Sequence, residues 1–193
     1  MKNRVAIMAA VVAVASVAMA IRARAAEPEI VVGAAPSEPC PVCEVLDKRL
    51  EKDVQEHLWK IAYKRFPQDP EKQKEYYAAI VGLADGESGF DKMAYNAMNL
   101  NGTIDRGMFQ INSKNISDCV RNGFIRDGAD LYLPVNCADC ADYLYWQHYR
   151  KYGFSRRSYD GYLYNDGKEH DNVWTRRVWN LQETWYDLIF RKE

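Results

Sequence analysis

Glu87 opens the tetrapeptide Glu87-Ser88-Gly89-Phe90, and 18 positions later Asp105 opens Asp105-Arg106-Gly107-Met108-Phe109-Gln110-Ile111-Asn112. Much farther along stands Tyr164-Asn165-Asp166-Gly167. A carboxyl group where a helix ends, facing an amide-bearing segment and a tyrosine-asparagine pair, supplies what glycoside cleavage needs: a proton donor and polar groups that orient sugars. To hold a proton near neutral pH, Glu87 must be partly buried against apolar side chains such as Phe90 and Met108. Gln110 and Asn165 then offer amides to sugar hydroxyl or acetamide groups, and Tyr164 offers its phenol to Glu87 or to an acetamide. The Ser88 hydroxyl either reaches the scissile sugar or caps the following turn. Asp105 is either a second catalytic carboxylate or a loop acid that pairs with Arg106 or caps a turn.

These groups must be carried by ordered elements, and the apolar spacing supplies them. Leu46, Leu50, Val54, Leu58, Ile61 and Ala62 recur at helical spacing and predict one amphipathic helix over 46–66. Asp69-Pro70-Glu71 gives an N-cap, a proline at the first helical position and an acid in the first turn of a second helix. That helix is expected to run to about Ala84, with Gly86 breaking it beside Glu87. Residues 89–112 are rich in Asn, Gly and Asp and read as loops or a short hairpin lining a cleft. Helices resume near Ile116 and from Asn136, an N-cap, through Tyr149, with Gly153 as the stop. Trp174, Val178, Leu181, Trp185 and Leu188 form a last stripe, read as a buried helix face. With no sustained strand alternation, the class is mainly α.

The 193-residue chain opens with Lys2 and Arg4, a charge-free apolar run from Val5 to Ile21 and the small-x-small triplet Ala23-Arg24-Ala25. Residues 1–25 therefore read as a signal peptide, with Ala18-Met19-Ala20 as an alternative cleavage site and an uncleaved membrane anchor as the alternative fate. Contact with a membrane is expected only in that second case. The protein is expected outside the cytoplasm, in the cell envelope, the periplasm or the medium. Four prolines mark an extended linker over 26–44, which leaves 45–193 as one folded domain. Without the leader's four basic residues, 22 basic side chains face 27 acidic ones. That balance argues against nucleic acid or anionic lipid as a partner. Cys40, Cys43, Cys119, Cys137 and Cys140 read first as disulfide candidates in an exported chain, with connectivity open. The two Cys-x-x-Cys pairs also have the spacing of a structural zinc site, although no histidine sits near either. Most of the 13 Tyr and 5 Trp belong to the core. No Ser-His-Asp order, phosphate loop or metalloprotease pattern is present, and His57, His148 and His170 lack ligand spacing.

Taken in order, the three blocks resemble the lytic transglycosylase domain of the soluble lytic transglycosylase type, within the lysozyme-like superfamily. Glu87-Ser88 matches that family's catalytic glutamate and serine. Gly107-Met108-Phe109-Gln110 stands where the family usually has Gly-Leu-Met-Gln, and Leu163-Tyr164-Asn165-Asp166-Gly167 departs from Ala-Tyr-Asn-x-Gly only at its first position. The similarity covers about Asp47 to Gly167. It implies a lysozyme-like α+β domain that cleaves the β-1,4 bond between N-acetylmuramic acid and N-acetylglucosamine of peptidoglycan glycan strands. Glu87 would be catalytic, Ser88, Gln110, Tyr164 and Asn165 would bind substrate, no cofactor or metal would be needed, and the product would be a 1,6-anhydro end. A secretion or conjugation apparatus is a conceivable partner. Ile104-Asp105 through Asn112 also resembles the segment bearing the second carboxylate of animal-type lysozymes, which keeps a hydrolytic muramidase using Glu87 and Asp105 as the alternative. A noncatalytic glycan-binding or scaffold protein is the other.

Overall fold

Asp69 starts the central helix as expected, its side chain accepting from the Lys72 backbone N–H at 3.1 Å. In the computed structural model, which describes residues 46, 48–164, 168 and 170–191, helix α1 spans Lys52–Arg65 and α2 spans Pro70–Ser88. Leu46 and Leu50 are buried with the α1 stripe. They sit on a separate turn, however, because Glu51 has extended ψ and restarts the helix after it. From Tyr76 to Gly86 α2 is buried on every side, so its neighbours must approach closely all round.

That closeness explains why Gly86 does not break α2. The helix continues to Ser88 and ends at Gly89, whose φ of 66° is the left-handed cap conformation. Gly86 is instead a notch: a Cβ there would lie 2.4 Å from Val178 Cγ2, and one at Gly82 would lie 2.6 Å from the Gln182 Cα. Both neighbours belong to the last helix, α6 (Val173–Phe190), which Asn172 and Thr175 start with a reciprocal capping box. α2 and α6 form the most extensive helix pair of the fold.

Between them in sequence run three two-residue strands, β1 (Tyr95–Asn96), β2 (Asp105–Arg106) and β3 (Ile111–Asn112). They make an antiparallel sheet in the order β1-β2-β3. A 3-10 turn (Ser113–Asn115), helix α3 (Ile116–Arg121) and a second 3-10 turn (Gly128–Tyr132) lead to α4 (Pro134–Tyr152) and α5 (Arg156–Tyr164). α4 starts two residues before the expected cap at Asn136, because Pro134 takes the first helical position, where its missing N–H costs nothing. It stops at Gly153 as expected. The architecture is thus mainly α, with six α-helices and one small sheet among the described residues. Aromatic side chains fill its centre: Tyr76, Tyr77, Tyr145, Tyr159 and Phe109 are fully buried.

Cys119, Cys137 and Cys140 are free thiols buried in this core, so among the described residues the expected disulfide is absent. Nor do the described residues hold a group of three metal-ligating side chains. Cys40, Cys43, the leader and the linker lie outside the described residues. No described helix is long and apolar enough to cross a membrane.

Candidate active site

Two features of α2 fix where Glu87 points. Gly89 caps the helix through its N–H to Asp85 O at 2.8 Å, so Glu87 occupies the last turn. Two residues earlier, the buried Asp85 carboxylate accepts from Arg49 Nη2 at 2.7 Å and from Trp185 Nε1 at 2.9 Å. The Arg49 guanidinium also lies 4.8 Å from the Phe90 ring centroid, holding the residue after the cap. Phe90 itself has φ of 70°, a strained value for an aromatic residue. The turn that leaves Glu87 is therefore held from α6 and from the segment before α1.

Burial pushes the Glu87 carboxyl up to about 8. The Tyr159 hydroxyl donates to Glu87 Oε1 at 2.9 Å and acts in the opposite direction, while the negative charge of Asp105 adds to the rise. At pH 7 Glu87 is a neutral acid with its proton available. That is the state required to protonate a glycosidic oxygen.

Asp105 is held quite differently. β2 is the middle strand, and its register places Asp105 opposite Asn96 on one side and Asn112 on the other. The carboxylate accepts from Asn112 Nδ2 at 2.6 Å, Asn99 Nδ2 at 2.8 Å and Asn96 Nδ2 at 3.3 Å. Three amide donors thus fix the orientation of this carboxylate. Neither pairing with Arg106 nor capping of a turn describes this residue.

Residues 107–110 close the β2–β3 hairpin, and each of three carbonyls there is bound. Ser88 Oγ donates to Met108 O at 2.8 Å, Tyr162 to Phe109 O at 2.9 Å, and Gln110 Nε2 to Gly107 O at 3.0 Å. Ser88 and the Gln110 amide N–H thus secure the loop beside Glu87. Gln110 has φ of 47°, the second strained non-glycine residue of the site.

Tyr164 does not meet Glu87. It is 40 % exposed, its ring stacks on His170 at 3.8 Å and its hydroxyl accepts from Asn172 Nδ2 at 2.7 Å. Asn165 lies outside the described residues. The reason is helical geometry: both tyrosines are on α5, and five residues turn a helix about 140° past one full revolution. Tyr159 and Tyr162, three apart, share the face toward α2 and the hairpin. The sequence signal at Tyr159 is weak: Tyr159-Asp160-Gly161, five residues before Tyr164-Asn165-Asp166-Gly167, shares its tyrosine, acid and glycine but is one residue shorter. Trp174 is 37 % exposed, so the first residue of the predicted core stripe lies outside the core.

Tyr159→Phe is expected to keep the fold and to cost about tenfold in kcat, the order of a single oriented donor. Because the lost bond favours ionised Glu87, the alkaline limb of activity should move to higher pH. A pH profile unchanged from wild type would remove Tyr159 from the machinery.

Comparison with known proteins agrees with this geometry. No curated protein and no solved structure matches the chain. The family described as Transglycosylase SLT domain matches residues 66–185, well over half of the 193. That span runs from the end of α1 to Trp185 and takes in Glu87, the sheet and α5, so the chain belongs to the transglycosylase SLT domain family, whose domains cleave the glycan of peptidoglycan.

Proposed function

We propose that the protein is an exported peptidoglycan lytic transglycosylase that cleaves the β-1,4 bond between N-acetylmuramic acid and N-acetylglucosamine with Glu87 as acid and then base. The observation that carries this reading is the neutral Glu87 at the end of α2, in a domain of the transglycosylase family. Glu87 gives its proton to the glycosidic oxygen as the C1–O bond breaks. The resulting carboxylate then takes the proton of the same muramic acid's 6-hydroxyl as that oxygen bonds to C1. No water is consumed, and the product is a 1,6-anhydro end. Tyr159 orients the carboxyl throughout. Ser88 and Gln110 act through the hairpin, and Tyr164 stands at the rim, where its exposed ring faces approaching glycan. The apolar run over 5–21 and the triplet Ala23-Arg24-Ala25 support export to the compartment that holds this substrate.

One observation favours a second reading. Asp105, whose carboxylate accepts from three amides and whose charge acts on Glu87, supplies the second carboxylate that a hydrolase would use. A hydrolytic muramidase would release reducing ends instead. Mass analysis of muropeptides freed from purified peptidoglycan separates the two, since the anhydro product is lighter by one water. The expectation is anhydro products that persist, at a rate lowered about tenfold or less, in Asp105→Asn. Reducing ends from wild type and a loss beyond a thousandfold in Asp105→Asn would transfer the assignment to hydrolysis. Binding of sacculi with no release of either product would leave a glycan-binding module.

A further inference from the structure

Two residues flank Glu87, and one guanidinium reaches both. Asp85, two positions before Glu87, is 6 % exposed and accepts from Arg49 Nη1 at 3.2 Å, Arg49 Nη2 at 2.7 Å and Trp185 Nε1 at 2.9 Å. Phe90, three positions after Glu87, is buried with a left-handed backbone, and its ring meets the same guanidinium and, edge-on at 5.9 Å, the Trp185 ring. Two residues turn a helix by about 200°, so Asp85 points away from the side on which Glu87 meets Tyr159. The hold on Asp85 therefore fixes the rotation of the last turn of α2, and the stack on Phe90 fixes the path of the chain after it. Arg49 is itself placed in advance. Its N–H donates to Leu46 O at 2.8 Å in a turn whose Leu46 and Leu50 are buried, and the fully buried Gln55 donates from Nε2 to Leu50 O at 2.6 Å. This turn precedes residue 66, where the match to the transglycosylase family begins.

We propose that Arg49 is a positioning residue for Glu87, and that the turn carrying it belongs to the catalytic apparatus although it lies outside the family match. The inference rests on the reading of Glu87 as the proton donor. A guanidinium suits the place, because one rigid planar group offers two N–H bonds to a carboxylate while its face packs on aromatic rings. Those rings are Phe90 at 4.8 Å and Trp185 at 5.7 Å. Without Arg49, the Trp185 indole is the side-chain donor left to Asp85 among the described residues. A buried carboxylate left short of donors is drawn toward water. Phe90 would at the same time lose a contact that holds its φ of 70°, a conformation that persists only where the surroundings over-determine it. Both changes release the turn, and Glu87 then samples directions other than the one that faces the glycosidic oxygen. Such misplacement acts on turnover more than on binding, since other groups hold the sugars.

The test compares Arg49→Ala and Arg49→Lys with a matched control, Arg65→Ala. Arg65 makes the same two kinds of contact elsewhere in the fold, a fork to Asp142 at 3.1 and 2.6 Å and a stack on Trp146 at 4.6 Å. Muropeptide release is measured well below the unfolding transitions, and the Glu87 side-chain carboxyl is titrated by carbon-13 NMR, its signal assigned by its loss in Glu87→Gln. Both alanine variants should lose thermal stability. Arg49→Ala alone should lose about tenfold in kcat, with KM changed by less than about twofold. Its Glu87 titration should move from about 8 toward the ordinary 4.5 as the carboxyl gains access to water. The sign is diagnostic, because loss of a nearby positive charge would by itself move that titration upward. Tyr159 and Asp105, which act directly on Glu87, are untouched in every variant. Arg49→Lys, which keeps the charge but neither the fork nor the flat face, should fall between wild type and Arg49→Ala. It decides the question by the same two readouts if Arg49→Ala does not fold. Arg49 variants with the kcat and Glu87 titration of wild type, or a loss of kcat equalled by Arg65→Ala, would overturn the inference. A wild type that releases no muropeptide would overturn the proposed activity instead, and the titration would still decide whether Arg49 holds the Glu87 carboxyl in place.

Discussion

Glu87→Gln is expected to abolish muropeptide release, by about a thousandfold or more, while making the protein more resistant to unfolding at alkaline pH. The first effect follows from removing the neutral acid of the site. Glutamine keeps an oxygen that can accept from Tyr159, so the geometry survives and only the transferable proton is lost. The second follows from linkage. Folding raises the Glu87 pKa from its ordinary 4.5 to about 8. Below pH 4.5 the carboxyl is protonated in both folded and unfolded chains and costs nothing. Between 4.5 and 8 the unfolded chain releases the proton more readily, so wild-type stability declines as pH rises, and above 8 the whole cost of burying the charge is present. The Tm difference between the variant and wild type should therefore be near zero at pH 4 and largest at pH 9, with the variant higher. The same ionisation removes the acid, so wild-type activity should fall as pH rises through about 8. A variant no more stable than wild type at pH 9 would show that Glu87 does not carry the burial cost on which its acidity depends.

How much of this was legible in the residues depends on the length scale of the force involved. The Asp69-Pro70 start of α2 and the Gly153 stop of α4 are local devices, and local devices are visible in sequence. Glu87 was legible because its position relative to the helix end is also local. Gly86 was misread because the reason for a glycine there is Val178, 92 positions away, and not the conformation of its own backbone. Choosing Tyr159 over Tyr164 requires knowing which face of α5 (Arg156–Tyr164) meets α2 and the hairpin, and only packing decides that. The amides around Asp105 were seen only as loop-forming residues. Their role appears once the register sets Asn96 and Asn112 on either side of it. Trp174 has the spacing of a core stripe but sits one turn too early on α6 to be covered.

The hairpin glycine provides the sharpest structural test. Gly107 and Gly89 have nearly the same left-handed φ, 73° and 66°, so an alanine pays the same conformational cost of about 1 kcal/mol at either. They differ in space. A Cβ at Gly89 meets nothing within 4 Å, whereas one at Gly107 would lie 2.1 Å from Leu131 O and 2.8 Å from Cys137 Sγ. Leu131 O belongs to the backbone of the 3-10 turn over Gly128–Tyr132 and cannot swing aside as a side chain would. Gly107→Ala must therefore shift the hairpin away from α4, which loosens the Tyr162 and Ser88 bonds and moves Asp105, two residues upstream, relative to Glu87. The expected loss is about 3–4 kcal/mol for Gly107→Ala against about 1 kcal/mol for Gly89→Ala. In Tm that is a drop of roughly 10 °C against roughly 3 °C. Activity measured well below the transition should fall at least tenfold in Gly107→Ala, because the displacement reaches the site before the fold fails. Equal losses in the two variants, read by thermal or denaturant unfolding, would mean that the hairpin is not clamped against Leu131 and that the constraint at residue 107 is φ alone.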